Sequence, residues 1–415
     1  MSNWTPEYKL TINGVEYTSA TVANITHAAG RKDIYQQALA SYMQVEVLDL
    51  QGTNFQFQIN DGLTLQVKDS AGNWVVLFGG SITDVTPMVR TSGSSSYTVS
   101  WTLIALGALS KLTRIVTDGI LSKAKDGDQI YSVLEPLLFN SWNEVPAATT
   151  WATYDGAGTT WLQAENSGLG QIDRPGDYEL AARSSDSITA YSLVSDLATS
   201  GLGYLYEDAQ GRICYADSTH RNQQLATYGY TTVSANKANA RGLSSTARAG
   251  DVRNDVTIYY KNNQSTNAKD NSSIALYGDL ASIIGTSLEN LTDAQAQAAF
   301  YLKIRAYPQK NMSSITFPIT NPELTDSERD ALLNVYMGQP LELTDLPPAI
   351  ADGGRFQGFI EGWNFSTGYN NLYLTLYLSP LAYSLQAAKW EDVSGAEIWN
   401  TINTGLTWND ATIVA

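Results

Sequence analysis

The sequence is poor in cysteine, histidine and charge, and each shortage excludes something. Cys214 stands alone among 415 residues, so no intrachain disulfide can form and the fold must rest on packing. Its setting, Arg212-Ile213-Cys214-Tyr215, reads as a small buried strand residue rather than a reactive thiol. The two histidines, His27 and His220, lie far apart and without the Ser or Cys motifs of nucleophilic catalysis, which argues against a triad. His27 beside Ala28-Ala29-Gly30 is expected in a turn, and His220 before Arg221 in a solvated loop. No run approaches the roughly 18 apolar residues of a membrane-spanning helix. Met1 to Glu7 lack the positive and apolar regions of a signal peptide, so the expectation is a soluble chain made in a cytoplasm, with no membrane insertion. Only 16% of residues are charged, against roughly 25% in average soluble proteins, and Ser, Thr, Asn, Gln and Gly must finish the surface.

Positive charge is the scarcer sign: 25 Lys and Arg face 41 Asp and Glu, a formal net charge of −16. Such a field repels phosphates, whose binding proteins carry a basic stripe, and a sequence-reading nucleic-acid role is not expected. It suits a conduit wall along which DNA slides without sticking. Asp126-Gly127-Asp128 lacks the remaining oxygen ligands of a calcium loop, and Asp128 is expected instead to cap a helix. Gly201-Leu202-Gly203 follows a helix rather than a strand, the wrong order for a dinucleotide fingerprint, and reads as a helix stop. No catalytic, cofactor-binding or metal-ligating residue is assigned, and no cofactor is expected.

What is abundant is aromatic and turn chemistry. With 24 Tyr and 10 Trp, and turn residues spread evenly, the chain reads as β-rich with wide contact surfaces. Its length implies two to four domains. Leu10-Thr11-Ile12 and Val15-Glu16-Tyr17 flank Asn13-Gly14, a strong two-residue hairpin signal. Alternating strands follow at Val45 to Leu48, Leu63 to Val67, Val75 to Phe78 and Tyr97 to Trp101. A helix carries Ile130, Val133, Leu134, Leu137 and Leu138 on one face, with Pro136 expected to kink or shorten it. Residues 140 to 175 read as a long excursion rich in Trp, Thr and Gly. A second helix is expected from Ser187 to Thr199, stopped by Gly201, then a hairpin of Tyr204-Leu205-Tyr206 and Ile213-Cys214-Tyr215 around Asp208 to Gly211. After strands from Val252 to Tyr260, capping boxes at Thr292-x-x-Gln295 and Thr325-x-x-Glu328 mark two helices, the second stopped by Gly338 and Pro340. Strands close the series at Leu341 to Leu343, Gly358 to Trp363 and Leu372 to Leu378.

The two β-rich ends carry one pattern twice. Leu63-x-Leu65 and Phe78-x-Gly80-x-Ile82 are matched by Leu341-x-Leu343 and Phe356-x-Gly358-x-Ile360 at one interval of 278 residues (63 to 341, 78 to 356). Two barrels of one design, separated by an α/β middle, are the simplest account. Three chains with two such units each would set six similar units around an axis, so that a trimer could dock on a sixfold ring.

These residues, taken in order, resemble a known family. The opening hairpin, Gly30-Arg31-x-Asp33 before a strand ending Val45-Glu46-Val47-Leu48-Asp49, and Leu77-Phe78-Gly79-Gly80-Ser81-Ile82-Thr83-Asp84-Val85 are similar to the hub, or minor tail, proteins of long-tailed bacteriophages. So are Gly201 to Arg212, Asn254-Asp255-Val256, Tyr277-Gly278, the Ala-rich helix ending at Pro308, and Gly358-Phe359-Ile360-Glu361-Gly362. That family is related in fold to the baseplate hub of contractile phages and to the N-terminal part of tail-associated lysins. The resemblance spans nearly the whole chain. It implies an α+β, mostly β, multidomain fold with two similar small β-barrels and α/β bracing domains. The expected division is a barrel at 1–112, a brace at 113–203, a second barrel from 204–255 and 339–385, an inserted α/β domain at 256–338, and a Trp-containing tail at 386–415. It also implies a non-enzymatic homotrimer at the virion's tail tip, serving host attachment and genome ejection. Its partners would be a distal tail protein or tube ring, tail fibre or tip proteins, the tape measure protein, and phage DNA passing without specific binding. Trp390, Trp399 and Trp408, nine residues apart, are expected to clamp a neighbour. Two rival readings are a receptor- or glycan-binding tip protein and a cell-wall glycanase built on paired carboxylates, the latter with aromatic support only around Trp142 to Trp161.

Overall fold

The computed structural model describes residues 4–18, 22–32, 34–49, 55–91, 98–141, 169–239, 243–247, 249–308, 311–312, 314–368 and 371–381. Asp33, Tyr97, the Trp142 to Trp161 stretch, and the tail with Trp390, Trp399 and Trp408 lie outside the described residues.

Seven strands open the chain: β1 (Tyr8–Ile12), β2 (Val15–Thr18), β3 (Val22–Gly30), β4 (Tyr42–Asp49), β5 (Gly62–Lys68), β6 (Trp74–Thr91) and β7 (Thr98–Leu106). Asn13 and Gly14 take φ of 48° and 79°, the left-handed pair that turns β1 back on β2. Along β5 only Leu63, Leu65 and Val67 are buried, the period-two pattern of a half-buried strand. Short elements follow: α1 (Leu109–Leu112), β8 (Val116–Thr117) and β9 (Ala124–Lys125).

The next helix, α2 (Asp126–Ser141), starts at Asp126, so Asp128 lies inside its first turn and pairs with Arg174 at 2.8 Å rather than capping. Pro136 sits inside this helix without ending it. Beyond come β10 (Leu169–Ile172), β11 (Glu179–Leu180), β12 (Ile188–Thr189), α3 (Ala190–Ser200), β13 (Tyr204–Glu207), β14 (Ile213–Ala216) and α4 (His220–Tyr228). Thr189 caps α3 by accepting from the Ser192 amide, and Gly201 ends it. Ile188, expected on that helix, belongs to β12.

The remaining elements are β15 (Thr231–Ser234), a two-residue pair β16 (Ser245–Thr246) with β20 (Asn311–Met312), and an insertion between them. That insertion holds β17 (Asp255–Tyr260), β18 (Gln264–Lys269), α5 (Asn271–Tyr277), β19 (Ala281–Gly285) and α6 (Leu291–Arg305). Then follow β21 (Ser314–Pro318), α7 (Asp326–Leu333), β22 (Pro340–Thr344), β23 (Phe356–Gly368) and β24 (Asn371–Pro380). The Thr325 and Glu328 capping box forms in full. The Thr292 box does not: Asn290 is the N-cap of α6, so Thr292 falls inside the first turn. The stop of α7 is also earlier than Gly338, since Asn334 already leaves the helical region at ψ 29°. Gly338, at φ +84°, instead lets the chain pass the Tyr204 hydroxyl.

The mostly β, α+β class holds, but the two β-rich ends are not separate closed barrels. Among the described residues they form one open sheet of 12 strands, in the order β15-β22-β23-β3-β4-β7-β6-β5-β1-β2, with β24 and β21 branching from β23. Long strands cause this: β3 and β23 each keep an edge free beyond their local partners, and those edges pair with each other. One core fills this sheet and takes in Tyr204, Tyr206 and Cys214 of the central hairpin. A second core joins α2 and α3 to β17 and α6, so the insertion packs on the bracing elements.

Candidate functional site

The repeat survives in the hydrogen-bond register. Leu63 faces Gly80 and Leu65 faces Phe78 between β5 and β6; Leu341 faces Gly358 and Leu343 faces Phe356 between β22 and β23. Each glycine makes room for the ring two residues earlier: a Cβ on Gly80 would meet Phe78 Cζ at 2.7 Å, and one on Gly358 would meet Phe356 Cζ at 2.9 Å. The bulges coincide as well. Register slips between Ile82 and Asp84 against β7, and between Ile360 and Gly362 against β24, again 278 residues on. The bulged residue is Thr83 in the first copy and Glu361 in the second.

Where the copies meet, β3 lies antiparallel on β23, with Thr26 opposite Ser366 and Gly30 opposite Gly362. The two backbones touch there. A Cβ on Gly30 would sit 2.6 Å from Gly362 Cα, and one on Gly362 would sit 2.7 Å from Arg31 N and Ala29 O. His27, expected in a turn, is buried in β3, stacked 6.2 Å from Phe365 of the second copy and edge-on 5.2 Å from Phe78 of the first. Burial pushes its pKa down to about 4 despite the Tyr42 carbonyl, so the ring is neutral and acts as an aromatic joint.

The second bulge turns Glu361 into the interior, where it is 1% exposed. Its carboxylate accepts from Arg31 Nε at 2.7 Å, Arg221 at 2.9 Å and Ser379 Oγ at 2.5 Å, while its carbonyl accepts from Arg31 N at 2.9 Å. Burial alone would raise its pKa, but Arg221 and Arg31 overcome it and hold the group at about 2. Arg221 also lies over the rings of Tyr204, at 4.5 Å, and Phe359, at 5.4 Å. His220, expected in solvent, is buried at the start of α4 with Nδ1 2.6 Å from Asp173 Oδ2.

A second buried carboxylate ties the first β-unit to the hairpin. Glu207 accepts from Ser41 N at 2.6 Å, from Ser41 Oγ and from Leu109 N at 2.5 Å, with Gly107 leaving the space it fills. Burial pushes its pKa up to about 7 against those three donors. Burial likewise raises Asp126 to about 7, although Tyr215 Oη donates to it at 2.5 Å and Tyr178 N at 2.8 Å. A raised carboxyl contributes stability that is present below its unfolded value, near 4.5 for Glu207, and lost as pH rises through about 7. Glu207→Gln is therefore expected to flatten the fall in stability between pH 5 and 8 by up to about 3 kcal/mol. The slope due to Asp126 should remain. Urea denaturation of both proteins across that range measures the difference, and parallel curves would contradict the assignment.

No site residue was assigned from the sequence, and the chemistry found here escaped it. Arg31 and Glu361 stand in quoted motifs, yet they lie 330 positions apart and no local pattern pairs them. The one available signal was a glutamate inside an apolar alternation at the place where the first copy has Thr83. Among the described residues no group of three or more His, Cys, Asp or Glu side chains comes together as a metal site.

No family model matches this chain, and no curated protein does. Solved structures do. The 43 kDa tail protein of prophage MuSo2 from Shewanella oneidensis superposes with a TM-score of 0.54 at 12% identity, covering 91% of this chain and 99% of that one. The tail protein from Neisseria meningitidis MC58 gives 0.57 at 12% identity, covering 92% and 98%. At that identity the likeness is one of fold, and it extends over almost the full length of each chain.

Proposed function

From a fold held in common with phage tail proteins, we propose that this chain is a structural, non-enzymatic hub of a bacteriophage tail tip, working as a homotrimer. The observation that carries the reading is the unequal use of two equivalent strand edges. On β23, residues 362–366 receive β3 on the edge opposite β24. The stretch of β6 at the same interval, 84–88, pairs with β7 on one edge, and on the other has no strand partner among the described residues. Met88 and Val89 are exposed there, at 48% and 61%. An edge filled within the chain in one copy and open in the other leaves each chain a place to receive a strand from its neighbour, as in a ring where each new chain continues the sheet of the last. Three chains then present six β-units, matching a sixfold tube or distal tail ring above and threefold fibre or tip proteins below. The tape measure protein and the DNA would occupy the axis, and the net charge of −16 per chain disfavours binding of phosphates. Trp390, Trp399 and Trp408 fit this scheme as clamps on a neighbour.

Light scattering on the purified chain tests the reading. A mass three times 45.1 kDa is expected, and Val89→Lys, on the open edge, should return the protein to 45.1 kDa while it still unfolds in one cooperative transition. A monomer at every concentration, or a trimer indifferent to that lysine, would count against the edge as the contact.

A further inference from the structure

A cavity of about 200 Å³ opens where the loop after β3, the end of α3, the start of α4, β19 and α6 converge. Its lining includes the apolar Leu202, Ile284 and Phe300, the three arginines Arg31, Arg221 and Arg305, and Asp217, whose carboxylate accepts from the Thr219 and His220 amides. Arg31 and Arg221 share the single carboxylate of Glu361, so the three guanidiniums outnumber the two carboxylates at the cavity, Glu361 and Asp217, by one. Arg305 has no carboxylate within ion-pair distance among the described residues, and its guanidinium lies 4.0 Å over the Tyr35 ring. The Nε atoms of both Arg221 and Arg305 are buried without a hydrogen-bond partner. The Tyr301 phenol reports the same local field: burial lifts its pKa to about 12, and Arg305 and Arg31 pull the other way. In a protein of net charge −16, three arginines around one hollow are a local arrangement, not a general property of the surface.

We propose that this cavity binds a compact organic carboxylate with a ring-sized apolar body. A guanidinium fork matches a carboxylate in geometry and charge. The volume exceeds the roughly 150 Å³ that accommodates benzene but falls below the roughly 300 Å³ at which drug-sized sites begin, which limits the occupant to one ring and its acid group. The inference rests on the cavity alone and is independent of ring assembly.

Isothermal titration of the full chain with benzoate, and with benzamide as its uncharged counterpart, tests it. Benzoate is expected to bind roughly ten- to a hundred-fold more tightly than benzamide. Arg305→Gln should weaken benzoate by about ten-fold or more at an unchanged melting temperature. Ser282→Trp, on the half-exposed strand β19, should fill the hollow and abolish binding; it keeps the test decisive if the arginine variant folds poorly. N-acetylphenylalanine run alongside separates the two sources of such a group: tighter binding than benzoate assigns the site to a peptide chain end, weaker binding to a free acid. No saturable benzoate binding, equal affinity for benzamide, or binding unchanged by Ser282→Trp overturns the proposal.

Discussion

Glu361→Gln is expected to destabilise the fold by about 3–5 kcal/mol, the cost of removing one partner from a buried ionic cluster. The amide keeps the volume and shape of the carboxyl, so no cavity opens and the loss is electrostatic. Arg31 and Arg221 then remain buried beside each other with nothing to neutralise them. Removing only the Ser379 hydroxyl, which also donates to Glu361, should cost nearer 1 kcal/mol. Acid supplies an independent check. Because the carboxyl is held at about 2, below its ordinary 4.5, it contributes stability that is present above pH 4.5 and lost as pH falls through about 2. The wild type should lose stability over that acid window through this group, and the glutamine variant should not. Denaturant titration at pH 7 and at pH 3 reads both effects; a variant as stable as the wild type at pH 7 would show that the cluster is dispensable.

The second large effect is expected at Gly362. A valine there would drive its Cβ into Arg31 N and Ala29 O, backbone atoms held by the β3–β23 ladder, so no side-chain rotation relieves the clash. The pairing between the copies must open, and Arg31 leaves Glu361 with it. A loss above about 4 kcal/mol, or failure to fold, is anticipated. Gly72→Ala is the matching control. Gly72 has φ +88° with nothing within 4 Å of an added Cβ, so its alanine variant bears only the cost of a left-handed backbone, about 1 kcal/mol. Thermal melts of the two variants should differ widely. Similar melts would mean that β3 can shift on β23 and that the close approach is not structural.

Local signals were legible from the sequence; long-range burial was not. Asn13-Gly14 and the Thr325 capping box are decided within four residues, and both form as read. The pattern repeated at 278 residues was visible because each copy uses the same glycine and phenylalanine to solve the same packing problem. His27 and His220 were misjudged because their neighbours are small or polar, whereas Phe365, Phe78 and Asp173, which enclose them, come from distant segments. The Thr292 box failed for a related reason: Asn290, two residues earlier, is already the N-cap of α6, and its side chain is held between Glu179 and Asp293. Separate barrels were expected because alternation along a strand reveals which face is buried but not which edge is paired.

The β3–β23 ladder also sets a clock on the ribosome. Strand β3 is among the first to be made, and its partner edge arrives some 330 residues later. At about 5–20 residues per second, the nascent chain holds that edge unpaired for on the order of 20–60 seconds, exposed to neighbouring chains on the same messenger. Slow, late closure of this kind makes yield in a producing cell sensitive to temperature and translation rate even when the finished protein is stable.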